Sequence, residues 1–434
     1  MFELVDPEAG FTSSVIRDPK RFVGRTDLIQ NCMNALNATE GVIAVYGKRG
    51  VGKSSLVRQV QQMANGNYEI VHNAGLAHLI PNKPRRYYTV YYACDSTIES
   101  TDGLISRLCN DTDGEDGLLR LVPDQGKELI EFSRSDEMST GVDLKLVKWG
   151  AKGSDSQKYS SVVENDRIQS FRNFVSSAVD SNNRIWSKRD GLLILLDEFD
   201  VIKDKSTMGS LIKSLTSPSV KFGICGIGQD IGALINDHKS VARLIEQGAI
   251  YVKPMSAQET RQIFSTAHDL FKGKIAFSPE VVDEIVVLSE GFPYFAQLIG
   301  KACVQHGNEI GHNAIDTSIF REVLSKIQSG KSFPNLEQQY QMAIGQSKER
   351  AMLLVLLAEQ SSDSTLYNED LSRIVLQRTR ATAQGLGVEY IDQLMPRLVE
   401  ERYGPVLMKQ SDQRGIYEFV DPVFRAYVKL RRLD

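Results

Sequence analysis

The chain has 434 residues, 41% hydrophobic and 24% charged, with 51 Lys and Arg against 55 Asp and Glu and a formal charge of −4. This is an ordinary globular composition, long enough for two or three domains, and the near-neutral balance excludes polyanion binding by the chain as a whole. Five scattered cysteines without a C-x-x-C pair point to reduced thiols rather than a zinc site or a disulfide framework. The segment "MFELVDPEAGFTSSVIRDPK" lacks a basic and then apolar leader, and no run reaches about 18 apolar residues, so a cytoplasmic protein with no membrane span is expected.

In chain order, "RFVGRTDLI" (21–29) precedes a first strand, "VIAVY" (42–46), which runs into the glycine-studded "GKRGVGKSS" and a helix. Further strands are expected at "YYTVYYAC" (87–94), "LLILLD" (192–197), "VKFGIC" (220–225) and "AIYV" (249–252). Continuously apolar runs such as "LLILLD" fit strands covered on both faces of a parallel sheet. The helical segments between them supply the crossovers of an α/β fold. A polar stretch from about 110 to 166 interrupts the alternation and reads as an insertion, in which "GVDLKLVKWGAKGS" has the pattern of a strand or hairpin.

Past Pro254 the texture becomes helical. "SAQE" (256–259) fits a capping box. "SPEVVDEIVVLSEG" places Ser278 at an N-cap, Pro279 at the first helical position and Gly291 at the stop. Helices near "PYFAQLIGKAC" and "DTSIFREVLSKI" complete a small bundle. From "ERAMLLVLLAE" onward, three helices and a hairpin around "SDQRG" describe a winged helix. The expected domains are therefore an α/β core over 1–255, a helical lid over 256–340 and a winged helix over 341–434.

The pattern G-x-x-x-x-G-K-[ST] is met by Gly47, Gly52, Lys53 and Ser54. Without Cβ atoms in the way, the amides of Gly50, Val51, Gly52, Lys53 and Ser54 can turn toward a phosphate, with Ser55 next in the helix. The helix N-terminus favours the same anion. Lys53 can reach the β- and γ-phosphates, and the Ser54 hydroxyl can ligate Mg²⁺. "GLLILLDEFD" (191–200) ends a buried strand in Asp197, a candidate metal ligand, followed by Glu198, a candidate base for an attacking water. In "GIGQD" (226–230), Gln229 is the candidate sensor of the γ-phosphate, with a plain loop role left open.

With these motifs in place, the sequence resembles AAA+ ATPases of the origin-recognition-like and STAND branches. The resemblance implies a P-loop sheet sandwiched by helices, ATP with Mg²⁺, and an adenine pocket at Phe22, Val23 and Gly24. It makes Arg243, in "HKSVARLI" (238–245), the arginine that reaches a neighbour's nucleotide. It places Pro293, in "EGFPYFAQLIG" (290–300), at the head of the lid helix. Tyr294 and Phe295 stand where the origin-recognition type often carries an arginine, which tilts the match toward STAND. The implied function is an ATP-hydrolysing switch whose nucleotide state controls assembly, with itself or with a partner protein.

The alternative is a DNA-associated ATPase. From Lys348 onward, thirteen basic residues meet thirteen acidic ones, and "GVEYIDQLMPRLVEE" sets Glu389, Asp392, Glu400 and Glu401 against Arg397 alone. That balance disfavours groove reading. "QRTR" (377–380) and "KLRR" (429–432) leave a backbone contact open.

Overall fold

The computed structural model describes residues 3–121, 171, 175, 179–180, 182–183, 188–227, 232, 239–360, 366–382, 388–409 and 414–431. The hairpin expected in "GVDLKLVKWGAKGS" and the sensor candidate Gln229 lie outside the described residues.

Five strands, β1 (Val42–Tyr46), β2 (Tyr87–Ala93), β3 (Gly191–Asp197), β4 (Val220–Gly226) and β5 (Ala249–Tyr251), form one parallel sheet in the order β2-β3-β4-β1-β5. All seven residues of β3 and of β4 are buried, as the apolar runs require. The register sets Tyr46 beside Gly226 and Tyr251, and Ala93 beside Asp197. The carboxyl ends of the strands therefore share one edge, where ligands of open α/β sheets bind.

Side chains alternate between two core layers. Ile43, Val45, Tyr87, Tyr91, Leu193 and Leu195 face one layer, together with α1 (Thr26–Asn37) and α2 (Lys53–Ala64). Val42, Ala44, Val90, Leu192, Ile194 and Leu196 face the other, with α3 (Thr101–Cys109), α4 (Met208–Leu215) and α5 (Val241–Glu246). Leu118, Leu121, Phe171, Val175 and Val179 are buried in this second layer.

The lid comprises α6 (Ala257–Leu270), α7 (Pro279–Ser289), α8 (Pro293–Ile310) and α9 (Thr317–Gln328). The capping box at Ser256 and Glu259 forms in both directions, and Ser278 caps α7 with Pro279 at its first turn. A two-residue parallel pair, β6 (Ala276–Phe277) with β7 (Ala314–Ile315), ties the bundle and has no sequence signal long enough to read. Helix α10 (Pro334–Ile344) spans the expected boundary at 340/341. Its Pro334 presets the first turn, and buried Leu336, Tyr340 and Ala343 bind it to its neighbours.

The C-terminal module contains α11 (Lys348–Ala358), β8 (Leu366–Tyr367), α12 (Asn368–Thr382), α13 (Val388–Arg397), β9 (Leu407–Lys409), β10 (Ile416–Phe419) and α14 (Pro422–Leu430). The wing is three-stranded, β8-β10-β9, rather than the two-stranded hairpin read from sequence. Two residues of β8 carry too little alternation to announce a strand. Among the described residues, no helix is long and apolar enough to cross a membrane.

Candidate functional site

The loop between β1 and α2 takes its shape from glycine. Gly50 has φ +75° and Gly52 φ +95°, conformations that cost other residues about 1–2 kcal/mol. A Cβ on Gly47 would collide with the carbonyl oxygen of Val252. Gly52 precedes Lys53, so the first free amides of α2 face the loop's concavity. Lys53 Nζ donates to the Lys48 carbonyl at 3.0 Å, which holds the ammonium across the loop.

A cleft between core and lid is lined by residues 50–56, including Gly50, Val51, Gly52, Lys53, Ser54 and Ser55. Phe22 and Val23 form its apolar wall, and Pro293 and Tyr294 close it from the lid. Tyr294 thus lines the cleft where the related branch often has an arginine, whereas Phe295 is buried in the core.

Gly24 is not among the lining residues. It turns at φ +67° against Glu259, whose Oε1 accepts the Arg25 amide at 2.7 Å. Buried Arg25 then donates to the carbonyls of Lys253 and Val51, bracing the loop from behind. Gly47 likewise supports the loop without lining the cleft.

The N-terminal segment Thr12–Ile16 also lines the cleft and was missed by sequence reading. It is pinned by Ile16 N to Ser55 Oγ at 3.0 Å and by Thr12 N to Gln297 Oε1 at 3.0 Å. Arg21, directly before Phe22, adds a cation to the same wall. No motif marks these positions, because their role depends on a strap folding back across α2.

Asp197 ends β3 and Glu198 follows it; neither is among the residues lining the cleft. Asp197 is only 2% exposed. Its Oδ2 accepts the Tyr91 hydroxyl at 2.5 Å, and its Oδ1 accepts the Glu198 amide at 2.9 Å. Burial, and then the neighbouring Asp197, raise the Cys225 thiol on β4 while Lys53 opposes them, so the ends of β1, β3 and β4 converge electrostatically.

Glu198 itself is exposed and sits at φ 53°, a left-handed backbone rare outside glycine. Partial burial, then Asp197 and Asp200, raise its carboxyl above the ordinary value, while Arg49 opposes them. Arg49, within the loop, pairs with Asp200 at 3.2 Å.

Arg243 is exposed on α5, which leads through Gly248 into the start of β5. That start pairs with mid-β1, and the phosphate loop lies beyond the far end of both strands. The structure therefore does not bring Arg243 to its own chain's cleft.

The winged helix reaches the loop directly. A Cβ on Gly50 would lie 2.6 Å from Val423 Cγ2, in the first turn of α14. Asp421 caps that helix through the Val423 amide at 2.8 Å. Burial raises its carboxyl, and the backbone donors and Arg49 pull it back. Farther along, Arg425 and Lys429 pair with Glu290, the left-handed residue (φ 48°) that ends α7. Arg431 pairs with Glu337 of α10 at 3.1 Å.

The family model described as novel STAND NTPase 1 matches residues 9–290, from the N-terminal strap to the end of α7. The chain belongs to that family. It is a STAND NTPase, with the phosphate loop on a parallel α/β core. No curated protein matches the sequence significantly. Among solved structures it is similar to Cdc6p of Pyrobaculum aerophilum, at 13% identity over 98% of each chain with a TM-score of 0.43. It is also similar to the Orc1 protein of Aeropyrum pernix in complex with DNA, at 10% identity over 96% of this chain and 93% of that one, TM-score 0.42. For a Thermotoga maritima RuvB variant the values are 10%, 93%, 96% and 0.42. Likenesses this remote specify neither a ligand nor a partner.

Proposed function

We propose that this STAND NTPase binds and hydrolyses ATP between core and lid, and that its winged helix reads the nucleotide state. The observation that carries the reading is the seating of Val423 on the phosphate loop at Gly50. A loop that rearranges around phosphate must push on α14, so ligand and winged-helix position are coupled through one contact.

Phe22 and Val23 offer an apolar wall to the base, and the amides of residues 50–54 with Lys53 hold the phosphates. The Ser54 hydroxyl and Asp197 carboxylate are hard oxygen donors that suit Mg²⁺. When bound, Mg²⁺ would neutralise charge on the β- and γ-phosphates. Glu198, with its raised carboxyl, orients and deprotonates the attacking water. Arg243 faces outward, available to the nucleotide of an adjacent copy in an assembly. The five buried free thiols agree with a cytoplasmic setting.

Light scattering with ATP and Mg²⁺, against ADP, tests the reading. Assembly or expansion should appear with ATP, fail in Lys53→Ala and persist in Glu198→Gln. One unchanged mass and radius in every state would sink it. The DNA-associated alternative has weaker support, since Lys429 and Arg431 of "KLRR" are occupied by Glu290 and Glu337. Duplex binding with a steep salt dependence from about 50 mM upward would revive it.

A further inference from the structure

We propose that Tyr91 is a positioning residue for Asp197, and that Arg58 and Asp116 hold Tyr91 in place. The inference rests on the reading of Asp197 as the carboxylate that meets the nucleotide's metal ion.

The sheet register makes the contact possible. Tyr91 lies beside Leu195, and both face the layer that contains α2. Two residues on, Asp197 ends its strand on the same face. The phenol donates to Oδ2 and the Glu198 amide to Oδ1. With one donor on each oxygen, the carboxylate plane cannot turn freely.

Behind the phenol is a buried polar cluster. The Arg58 guanidinium lies 3.2 Å from the Tyr91 ring centroid, an intimate cation–π contact. Its Nη1 pairs with Asp116 Oδ2 at 2.6 Å, and Gln61 donates to Asp116 Oδ1 at 2.7 Å. The Tyr91 amide donates to the Asp116 carbonyl at 3.1 Å. Arg58, Gln61, Tyr91 and Asp116 are all buried.

Stability alone is a weak reason for such a cluster, because a buried ion pair often gains nothing over apolar packing of the same volume. Its placement supplies a better one. Arg58 is four residues after Ser54 on α2, one turn along the same face. The cluster therefore joins the helix that carries Ser54 to the strand that carries Asp197. It fixes the separation of the two oxygen donors, much as outer-shell partners orient metal ligands elsewhere.

The test uses the full chain, a fluorescent N-methylanthraniloyl-ATP probe and a Mg²⁺ titration, with parallel binding in EDTA. Tyr91→Phe keeps the ring for Arg58 but removes the donor. It should bind the probe as wild type does in EDTA, yet need about 10-fold or more Mg²⁺ for half-maximal response, in line with other outer-shell losses. Asp197→Asn should shift the midpoint at least as far, and adding Tyr91→Phe to it should change nothing more. Arg58→Lys, which keeps charge but loses the planar stack, should shift it in the same direction and less. It also carries the test if Tyr91→Phe melts below assay temperature. A wild-type midpoint in Tyr91→Phe or Arg58→Lys, beside a shifted Asp197→Asn, overturns the proposal. Equal losses with and without Mg²⁺ overturn it too, since they mark a merely structural role. If neither wild type nor Asp197→Asn responds to Mg²⁺, the underlying reading of Asp197 fails instead.

Discussion

The loop after β1 and the loop after β3 stand on one edge of the same sheet, yet they are held by opposite means. The first is shaped by backbone. Gly50 and Gly52 adopt left-handed angles, Gly47 admits a carbonyl, and most of what defines the loop lies within eight consecutive residues. The second is shaped by side chains from elsewhere, with Tyr91 on β2 and, through it, Arg58 and Asp116 gripping one carboxylate. A phosphate cradle can be written locally because backbone amides bind the anion. A carboxylate must be aimed, and aiming takes neighbours.

The largest expected effect breaks the first loop's chemistry outright. Lys53→Ala should lose nucleotide retention in equilibrium binding while its thermal melt stays close to wild type, because the hydrogen bond its ammonium makes is to a loop carbonyl. Glu198→Gln strikes the second loop alone. It should lower kcat by on the order of 10²–10⁴-fold with binding intact, measured by phosphate release. Comparable losses of binding in both variants would erase the distinction drawn between the loops.

Glu290→Gln sharpens the comparison by releasing what sits on the first loop. It leaves Arg425 without its carboxylate at a buried site, a change worth about 3–5 kcal/mol when one partner of such a pair is removed. Limited proteolysis should then cut between lid and winged helix sooner than in wild type. Gly50→Ala should cost less. The left-handed angle contributes about 1–2 kcal/mol, and the approach to Val423 adds to it. Pairing it with Val423→Ala should recover only the contact part, read as the difference in melting temperature.

A last effect belongs to a residue remote from both loops, and it is read only through pH. Lys221 on β4 is buried and donates to the carbonyls of Ala35 and Ala38 at the end of α1, at 2.7 and 2.8 Å. Burial pushes its ammonium from 10.5 down to about 8. Between those values the unfolded chain holds a proton that the folded chain has released. The residue's penalty on stability is therefore full below about pH 8 and fades as pH rises toward 10.5. Denaturant midpoints on either side of that value should rise with pH in wild type, and this increment should vanish in Lys221→Met.

Much of the scaffold was legible because its signals are short-range. All five core strands follow from apolar runs, and the lid helices at Ser256 and Ser278 follow from their caps. The third wing strand and the β6–β7 pair escaped because two residues carry no period to read. Helix α10 escaped because its apolar residues are few, and packing against the C-terminal module fixes it.

The same division runs through the site. The sequence by itself determined the phosphate loop, the acidic pair after β3 and the order of the three modules. Each rests on glycine freedom, strand hydrophobicity or helix capping within a few residues. Only tertiary structure decided that Thr12–Ile16 would strap the cleft, that Tyr91 would aim Asp197, and that Val423 would rest on Gly50. Those contacts join residues tens to hundreds apart in the chain. Side-chain packing and sheet register bring them together, and no local pattern encodes either.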